Sequence, residues 1–156
     1  QNELAAWKTY LNYYRTGEKS FRALKRLNNL NDFVYRTYQV GHRKIILSQS
    51  ALLSTQSIDE MESELEILVT SLRNDESLHL DIVVFSENNT TDAKRKAFSL
   101  KKNIVAILGA KEEKRVRLSW FGEKESIENV YGSSKLKESL LLFGSRNIKG
   151  REERKI

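Results

Sequence analysis

The sequence contains no cysteine and no proline. Without cysteine the chain can form no disulfide bond, no thiolate metal site and no thiol nucleophile. The absence of proline argues against long proline-rich linkers. Uninterrupted apolar runs are short, and even Ile104–Leu108 falls well below the length that a bilayer span needs. These absences exclude disulfide scaffolds and thiol enzymes, and they predict a chain without a transmembrane segment.

Histidine is also scarce, and the sequence lacks the common catalytic motifs. His42 and His79 are the only two, and they are too far apart for a metal-ligand spacing such as HxxxH. No P-loop, dinucleotide-binding glycine motif or G-x-S-x-G nucleophile motif is present. Glu87 and Asp92 could form a carboxylate pair, but turn and helix-cap roles explain them better. We therefore expect a protein that is not an enzyme and needs no metal or cofactor.

What the sequence does contain is typical of a basic globular domain. The 156 residues suggest one domain with an appendage, and 39% of them are hydrophobic. The net charge of +6 is compatible with nucleic acid, anionic lipid or an acidic polymer as partner. Much of the excess lies in the first 43 residues. The chain begins at Gln1 and not at Met, so we expect that an upstream segment was trimmed, processed or left out.

The first 43 residues predict a pair of helices separated at Gly17. Apolar residues recur there at the three-and-four spacing of helix faces. The members are Leu4, Trp7, Leu11 and Tyr14, followed by Leu24, Leu27, Val34 and Tyr38, with one polar lapse at Asn31. The region also holds eight of the fourteen aromatic residues. Packing against the rest of the domain is one explanation, and a partner-binding surface that includes Trp7, Tyr14, Arg22 and Arg26 is the other.

The segment from residue 57 to residue 74 predicts the clearest helix. Ser57 and Glu60 form a capping-box pattern, in which each side chain satisfies a free backbone amide. An apolar stripe follows, made of Ile58, Met61, Leu65, Leu68 and Leu72. The early carboxylates are Asp59, Glu60, Glu62 and Glu64. We interpret them as favourable partners of the helix dipole and not as a metal site.

The remaining segments alternate between strands and helices. "RKIILSQSALL" predicts a short strand leading into a polar turn, and "LHLDIVVFS" predicts a central strand. A helix with Thr90, Thr91 or Asp92 at its cap should run to Gly109. Its exposed face should carry Lys94, Arg95, Lys96, Lys101 and Lys102. "KRVRLSWFGE" predicts a third strand, with Arg115 and Arg117 on one side. The tail predicts a short helix and a last strand, which completes an α/β fold with helices packed on a sheet.

Several of these motifs, in this order, resemble the OmpA-like C-terminal domain, a peptidoglycan-binding module of the bacterial envelope. "IILSQSALL" is similar to the family's first strand and "F-x-x-x-S-x-x-L" turn, and "FSLKKNIVAIL" to "LSxxRAxxVxxxL". "VRLSWFGEKES" is similar to the strand that ends in "G-x-G-E-x-x-P", and "GREERKI" to the closing "GRxxNRRV". The resemblance implies an OmpA-like mixed sheet over residues 44–156, with an insertion near 126–149. Residues 1–43 would then form a helical extension.

The departures from the family pattern fall on its ligand site. The resemblance implies that an Asp and an Arg hold the diaminopimelate of peptidoglycan. Asn88 stands where the family has the aspartate of "GHTD", and the family's arginine falls on Lys102 or, in the other register, Lys101. Glu87 could supply the missing negative charge, but a lysine lacks the planar fork that holds a carboxylate with two bonds. We expect peptidoglycan binding to be weakened or lost.

The predicted function is therefore a non-enzymatic binding or scaffold module of the periplasm or cell envelope. Its degenerate peptidoglycan site would comprise Glu87, Asn88, Lys101 and Lys102. The N-terminal helices and the insertion would carry contacts with envelope proteins. The alternative is a basic protein that binds nucleic acid through its Lys/Arg- and aromatic-rich helices.

Overall fold

A computed structural model describes residues 2–54, 58–129 and 132–146. The helices are α1 (Asn2–Tyr13), α2 (Glu18–Asn29), α3 (Gln49–Leu53), α4 (Ile58–Asn74) and α5 (Thr90–Leu108), with a 3-10 helix, η1 (Ala110–Arg115). The strands are β1 (Tyr35–Val40), β2 (Arg43–Ser48), β3 (Leu78–Ser86), β4 (Val116–Phe121), β5 (Glu125–Asn129), β6 (Gly132–Leu136) and β7 (Glu138–Arg146). Ser57 and the "GREERKI" segment lie outside the described residues, as does the side chain of Glu60.

Five strands form one mixed sheet in the order β2-β1-β7-β3-β4, and β5 and β6 form a separate hairpin. β3 pairs with β7 antiparallel and with β4 parallel, and β1 pairs with β2 antiparallel. β1 and β7 run parallel and are paired only at Gln39↔Phe143 and Val40↔Gly144. The two strands approach closely there, because a Cβ on Gly144 would lie 2.8 Å from Val40 Cγ1.

The main core lies between one face of the sheet and helices α3, α4 and α5. Alternate residues of β3, from Leu78 to Val84, are buried on this face, and the residues between them are half-buried. The predicted stripes of α4 and α5 supply the other side, including Leu68, Leu72 and Ile104. Gly109, at φ 123°, ends α5 as predicted. The predictions of α4, α5 and a central β3 are confirmed, and the fold is α/β with a mixed sheet.

The helix pair α1–α2 packs on the opposite face of the sheet, over β1 and β2. Its buried residues, Leu11, Ala23, Leu24 and Leu27, form a second core with Tyr35 and Ile46. The predicted break at Gly17 is confirmed. The predicted continuation of the helix through Val34 and Tyr38 is wrong, since residues 35–40 form β1. The division of the chain at residue 43 stays a prediction.

The tail also differs from the prediction. The described part of the tail contains no short helix: residues 132–136 form β6, which pairs with β5 in a hairpin, and residues 138–146 form β7. β7 then enters the middle of the sheet between β1 and β3. Residues 138–146 therefore belong to the main sheet, and the insertion near residues 126–149 stays a prediction. None of the helices in the described ranges has the length and hydropathy that a bilayer span requires.

Candidate functional site

The predicted ligand site lies where β3 leads into α5. Only Glu87, Asn88 and Asn89 separate the strand from the helix. Asn89 caps the helix, because its Oδ1 accepts from the Asp92 backbone N–H at 2.7 Å. The loop after β4 packs closely against this turn, since a Cβ on Gly122 would lie 2.4 Å from the Thr90 nitrogen. The cap is thus the residue before Thr90, and Asp92 is available for another role.

Asp92 is the centre of a compact polar cluster at this turn. Its carboxylate accepts from Ser86 Oγ at 2.6 Å, and Arg95 and Lys96 lie at 2.5 and 3.1 Å. Asn88 Nδ2 adds a longer contact of 3.4 Å. The hydrogen bond from Ser86, helped by those from Lys96 and Arg95, holds the pKa of Asp92 well below its usual range. The carboxylate is therefore ionised and fully occupied by neighbouring groups.

Lys96 connects this cluster to β7. Its side chain is only 11% exposed and its Nζ lies 2.7 Å from Glu138 Oε2. Burial lowers the pKa of Lys96, but the hydrogen bonds to Glu138 and Asp92 outweigh it and leave the pKa above its ordinary value. The prediction that Lys96 lies on the exposed face of α5 is wrong. The aliphatic stem is covered while the ammonium bridges two carboxylates.

The residues predicted to hold peptidoglycan do not converge. Glu87 forms an ion pair with Lys124 at 3.3 Å, and Asn88 is exposed. Lys101 pairs with Glu113 at 2.5 Å. Lys102 is exposed in the fourth turn of α5, roughly 18 Å along the axis from the start of the helix at about 1.5 Å per residue. Asn88 and Lys102 therefore cannot grip the two ends of one small zwitterionic group.

A second polar cluster lies beside β1 and β7 where the two strands are not paired, and no local pattern of residues predicts it. Arg36 donates twice to Glu125, at 2.7 and 2.6 Å, and Ser139 Oγ donates to the same carboxylate at 2.6 Å. Burial raises the pKa of Glu125, but these bonds outweigh it and leave the pKa below its ordinary value. The backbone of Leu140 is satisfied nearby by side chains instead of a strand. Tyr38 Oη donates to its carbonyl and Gln49 Oε1 accepts from its N–H.

The four predicted partner-binding residues lie on the helix pair. Trp7 and Arg26 are joined through Glu3, which accepts from Trp7 Nε1 at 3.3 Å and from Arg26 Nε at 2.5 Å. Arg22 is exposed one turn before Arg26. Tyr14 is 57% exposed and its ring lies 4.8 Å from that of Tyr10. We call the surface made by Trp7, Tyr10, Tyr14, Arg22 and Arg26 the hairpin surface.

The helix pair is held in place by Arg15, in the link between α1 and α2. Arg15 donates to both carboxylate oxygens of Glu64, at 2.5 and 2.8 Å, and the Ser48 backbone N–H adds a bond of 2.6 Å to the same carboxylate. The side chains of Arg15 and Glu64 are only 11% and 3% exposed. Glu64 is thus a buried ion-pair partner and not a surface residue at the helix dipole. The two residues are too distant in sequence for any spacing rule to connect them.

Comparisons with known proteins identify no relative. No family model matches the chain, and neither a curated protein nor a solved structure matches it. Across the described ranges, no group of three or more His, Asp or Glu side chains is placed to hold a metal ion.

Proposed function

We propose that the chain is a non-enzymatic binding module of the cell envelope. In this proposal it is of OmpA-like type, it no longer holds peptidoglycan at the β3–α5 turn, and it binds a partner protein through the hairpin surface. The observation that carries the proposal is the mutual neutralisation of the charges at that turn. The order of motifs described above supports the assignment to the envelope.

Binding of a diaminopimelate group needs a free carboxylate for its ammonium and a free cation for its carboxylate. Asp92 and Glu87 are the carboxylates at the turn, and both are engaged with cations of this chain. Lys96, the nearest cation inside the cluster, already bridges Asp92 and Glu138. A ligand would have to replace these intramolecular pairs and would gain little free energy by doing so.

The hairpin surface offers the complementary properties. Arg22 and Lys25 are exposed on α2, and Tyr14, directly after α1, presents an exposed amphipathic ring that contacts Tyr10. Tyrosine and arginine are enriched where proteins bind one another, because each combines a large contact area with a polar group. Arg15 and the second core fix the helix pair to the sheet, so the surface is preorganised for an acidic partner.

Sedimentation with purified peptidoglycan tests whether peptidoglycan binding is lost. We expect the protein to stay in the supernatant. The Asn88→Ala/Lys102→Ala variant should behave in the same way, because these two residues do not form one site. Strong pelleting that this double variant abolishes would contradict the proposal.

A photo-crosslinker in place of Tyr14 tests the partner surface. In envelope extracts we expect a discrete protein adduct that Arg22→Glu removes. Lys137→Glu is the matched control, since Lys137 is exposed between β6 and β7 and does not belong to the helix pair. An adduct that persists in Arg22→Glu, or that Lys137→Glu removes equally well, would place the partner elsewhere.

Nucleic acid is the second candidate, favoured by the same exposed cations and aromatic rings. It predicts binding of single- or double-stranded DNA whose affinity falls steeply with salt. Arg22→Ala should then reduce the slope of log affinity against log salt by about one. Fluorescence anisotropy with a labelled oligonucleotide distinguishes the candidates, if it is measured from about 50 to about 200 mM salt. A flat response near zero affinity leaves the protein partner as the explanation.

A further inference from the structure

Strand β4 leaves one edge of the main sheet open. It pairs with β3 on one side, and no strand in the described part of the chain pairs with its other side. The strand has six residues, Val116–Phe121, and carries neither proline nor lysine, two of the usual devices that protect an edge. The Val116 N–H donates to the Glu113 carbonyl, and within the described part of the chain the other outer N–H and C=O groups of β4 are open to another extended chain.

An aromatic pair lies directly beside this edge. The rings of Trp120, on β4, and Phe98, on α5, have centroids 5.6 Å apart. Phe98 is 49% exposed. Lys94 Nζ lies over both rings, at 5.6 Å from the Trp120 centroid and 5.8 Å from that of Phe98. The pair offers an apolar contact at the end of the edge, with a cation already in place.

The charges around the edge are predominantly positive. Lys94, Phe98 and Lys102 follow one another at intervals of four residues, so they form one row along α5. Lys111 and Lys114 are exposed just before β4 begins. The neighbouring carboxylates of Asp81, Glu112 and Glu113 are paired with Arg117, Arg115 and Lys101. Among the described residues, no carboxylate forms an ion pair with Lys102, Lys111 or Lys114.

We propose that the free edge of β4 binds an extended acidic segment of a partner protein as an additional strand. Backbone hydrogen bonds would supply affinity, as in other cases of strand addition. The carboxylates of the segment face Lys94 and Lys102, and one apolar side chain packs on Phe98 and Trp120. A second copy of this chain fits less well, because a two-fold axis at the edge would bring two lysine rows together.

This site is separate from the hairpin surface and goes beyond the proposed function. The helix pair covers the β1–β2 side of the sheet, and β4 is the strand at the other end. The two surfaces can therefore be tested with different variants of the same full chain.

Selection from a displayed library of random twelve-residue peptides tests the proposal. Recovered peptides should be rich in Asp and Glu at alternating positions and contain an aromatic or aliphatic residue. For a synthesised, labelled peptide, Lys94→Ala/Lys102→Ala should weaken binding by about three- to tenfold, the range for two solvent-exposed charge pairs. Arg22→Ala/Lys25→Ala removes two exposed charges from α2, on the helix pair, and should leave the affinity unchanged.

Amide hydrogen exchange then locates the peptide. We expect slower exchange in β4 on addition of the peptide and no change in β2. Three outcomes would overturn the proposal: recovered peptides without acidic bias, equal weakening by both double variants, or protection confined to another element. A free chain that sediments as a dimer with β4 already protected would also overturn it, because the edge would then belong to a second copy.

Discussion

The two edges of the main sheet are treated in opposite ways. At the β2 edge, the Arg15 carbonyl accepts from the Ile46 N–H at 3.0 Å, and Arg15 Nη1 donates to the Ile46 carbonyl at 3.3 Å. Arg15 therefore occupies both outer hydrogen-bonding groups of Ile46, in the middle of that strand. At the β4 edge, nothing comparable is found among the described residues. The helix pair thus protects one edge against pairing with another chain, and the other edge remains accessible.

The largest expected effect comes from removing the carboxylate that anchors Arg15. Glu64→Ala leaves a buried guanidinium and the Ser48 N–H without their partner, and should lower the free energy of unfolding by about 3–5 kcal/mol. Urea denaturation measures this change, and amide exchange of Ile46 should rise as the edge opens. Glu62→Ala, at an exposed position of the same helix, should change stability by less than about 0.5 kcal/mol. Equal stability of the Glu62 and Glu64 variants would contradict the anchoring role.

A smaller effect is expected where β4 begins. Arg115 is 8% exposed and donates to the carbonyls of Leu72, Asp75 and Leu78, so it joins the end of α4 to the start of β3. The prediction that Arg115 shares one side of the third strand with Arg117 is wrong, because Arg115 ends η1 and is buried. Arg115→Ala should cost about 2–4 kcal/mol, since hydrogen bonds to charged groups are the stronger ones. Arg117→Ala, at an exposed ion pair, should cost below about 1 kcal/mol. Thermal unfolding of the two variants compares them directly.

Acid should weaken the region between the two edges. The pKa of Asp92 and that of Glu125 are lowered in the folded chain, so both carboxylates stabilise the fold at neutral pH. That contribution is fully present above the unfolded pKa of about 4 and is lost as the pH falls through the lower folded values. Urea denaturation between neutral pH and acid should show this decline. Asp92→Asn should flatten it, and an unchanged slope in that variant would exclude Asp92 as a source.

The smallest effect is expected at the open edge itself. Ser119 is exposed on β4 and its side chain contacts neither core. Ser119→Lys should change the free energy of unfolding by less than about 0.5 kcal/mol, while adding the type of charge that protects natural edges. Destabilisation comparable to that of Glu64→Ala would show that the two edges do not differ in the way described.

Local patterns were sufficient for the elements that bury one regular face. The apolar stripe of α4 and the alternation of β3 predict a helix and a strand correctly, because burial of one face imposes a period of 3.6 residues on a helix and of 2 on a strand. Tyr38 was assigned to a helix because its spacing from Val34 imitates that period. It belongs to β1 because a tight turn at Gly41 lets the strand pair with β2.

The candidate site shows where a sequence pattern stops being informative. The resemblance to the family motif predicts one site from Asn88 and Lys102. Because the loop before α5 is short, the helix begins already at Thr90, and Lys102 lies more than three turns along it from Asn88. No local pattern predicts the ion pairs of Glu64 and Glu125. Glu64 is 49 residues from Arg15 in the sequence, and Glu125 is 89 residues from Arg36. Such pairs depend on tertiary structure, which no local spacing encodes.

The narrow join between β1 and β7 has a mechanical consequence. Strand pairing joins the β1–β2 unit to the β7–β3–β4 unit at only two residue pairs. The first unit carries the helix pair, and the second carries the open edge. Beyond those pairs the connection passes through side chains, chiefly the bridge from Arg36 to Glu125 and the bond from Tyr38 to Leu140. Tension between partners held at the two ends of the sheet would be transmitted across this seam. We therefore expect a pulling force to break the backbone pairing of the sheet at this seam first, while the shared main core still joins the two units.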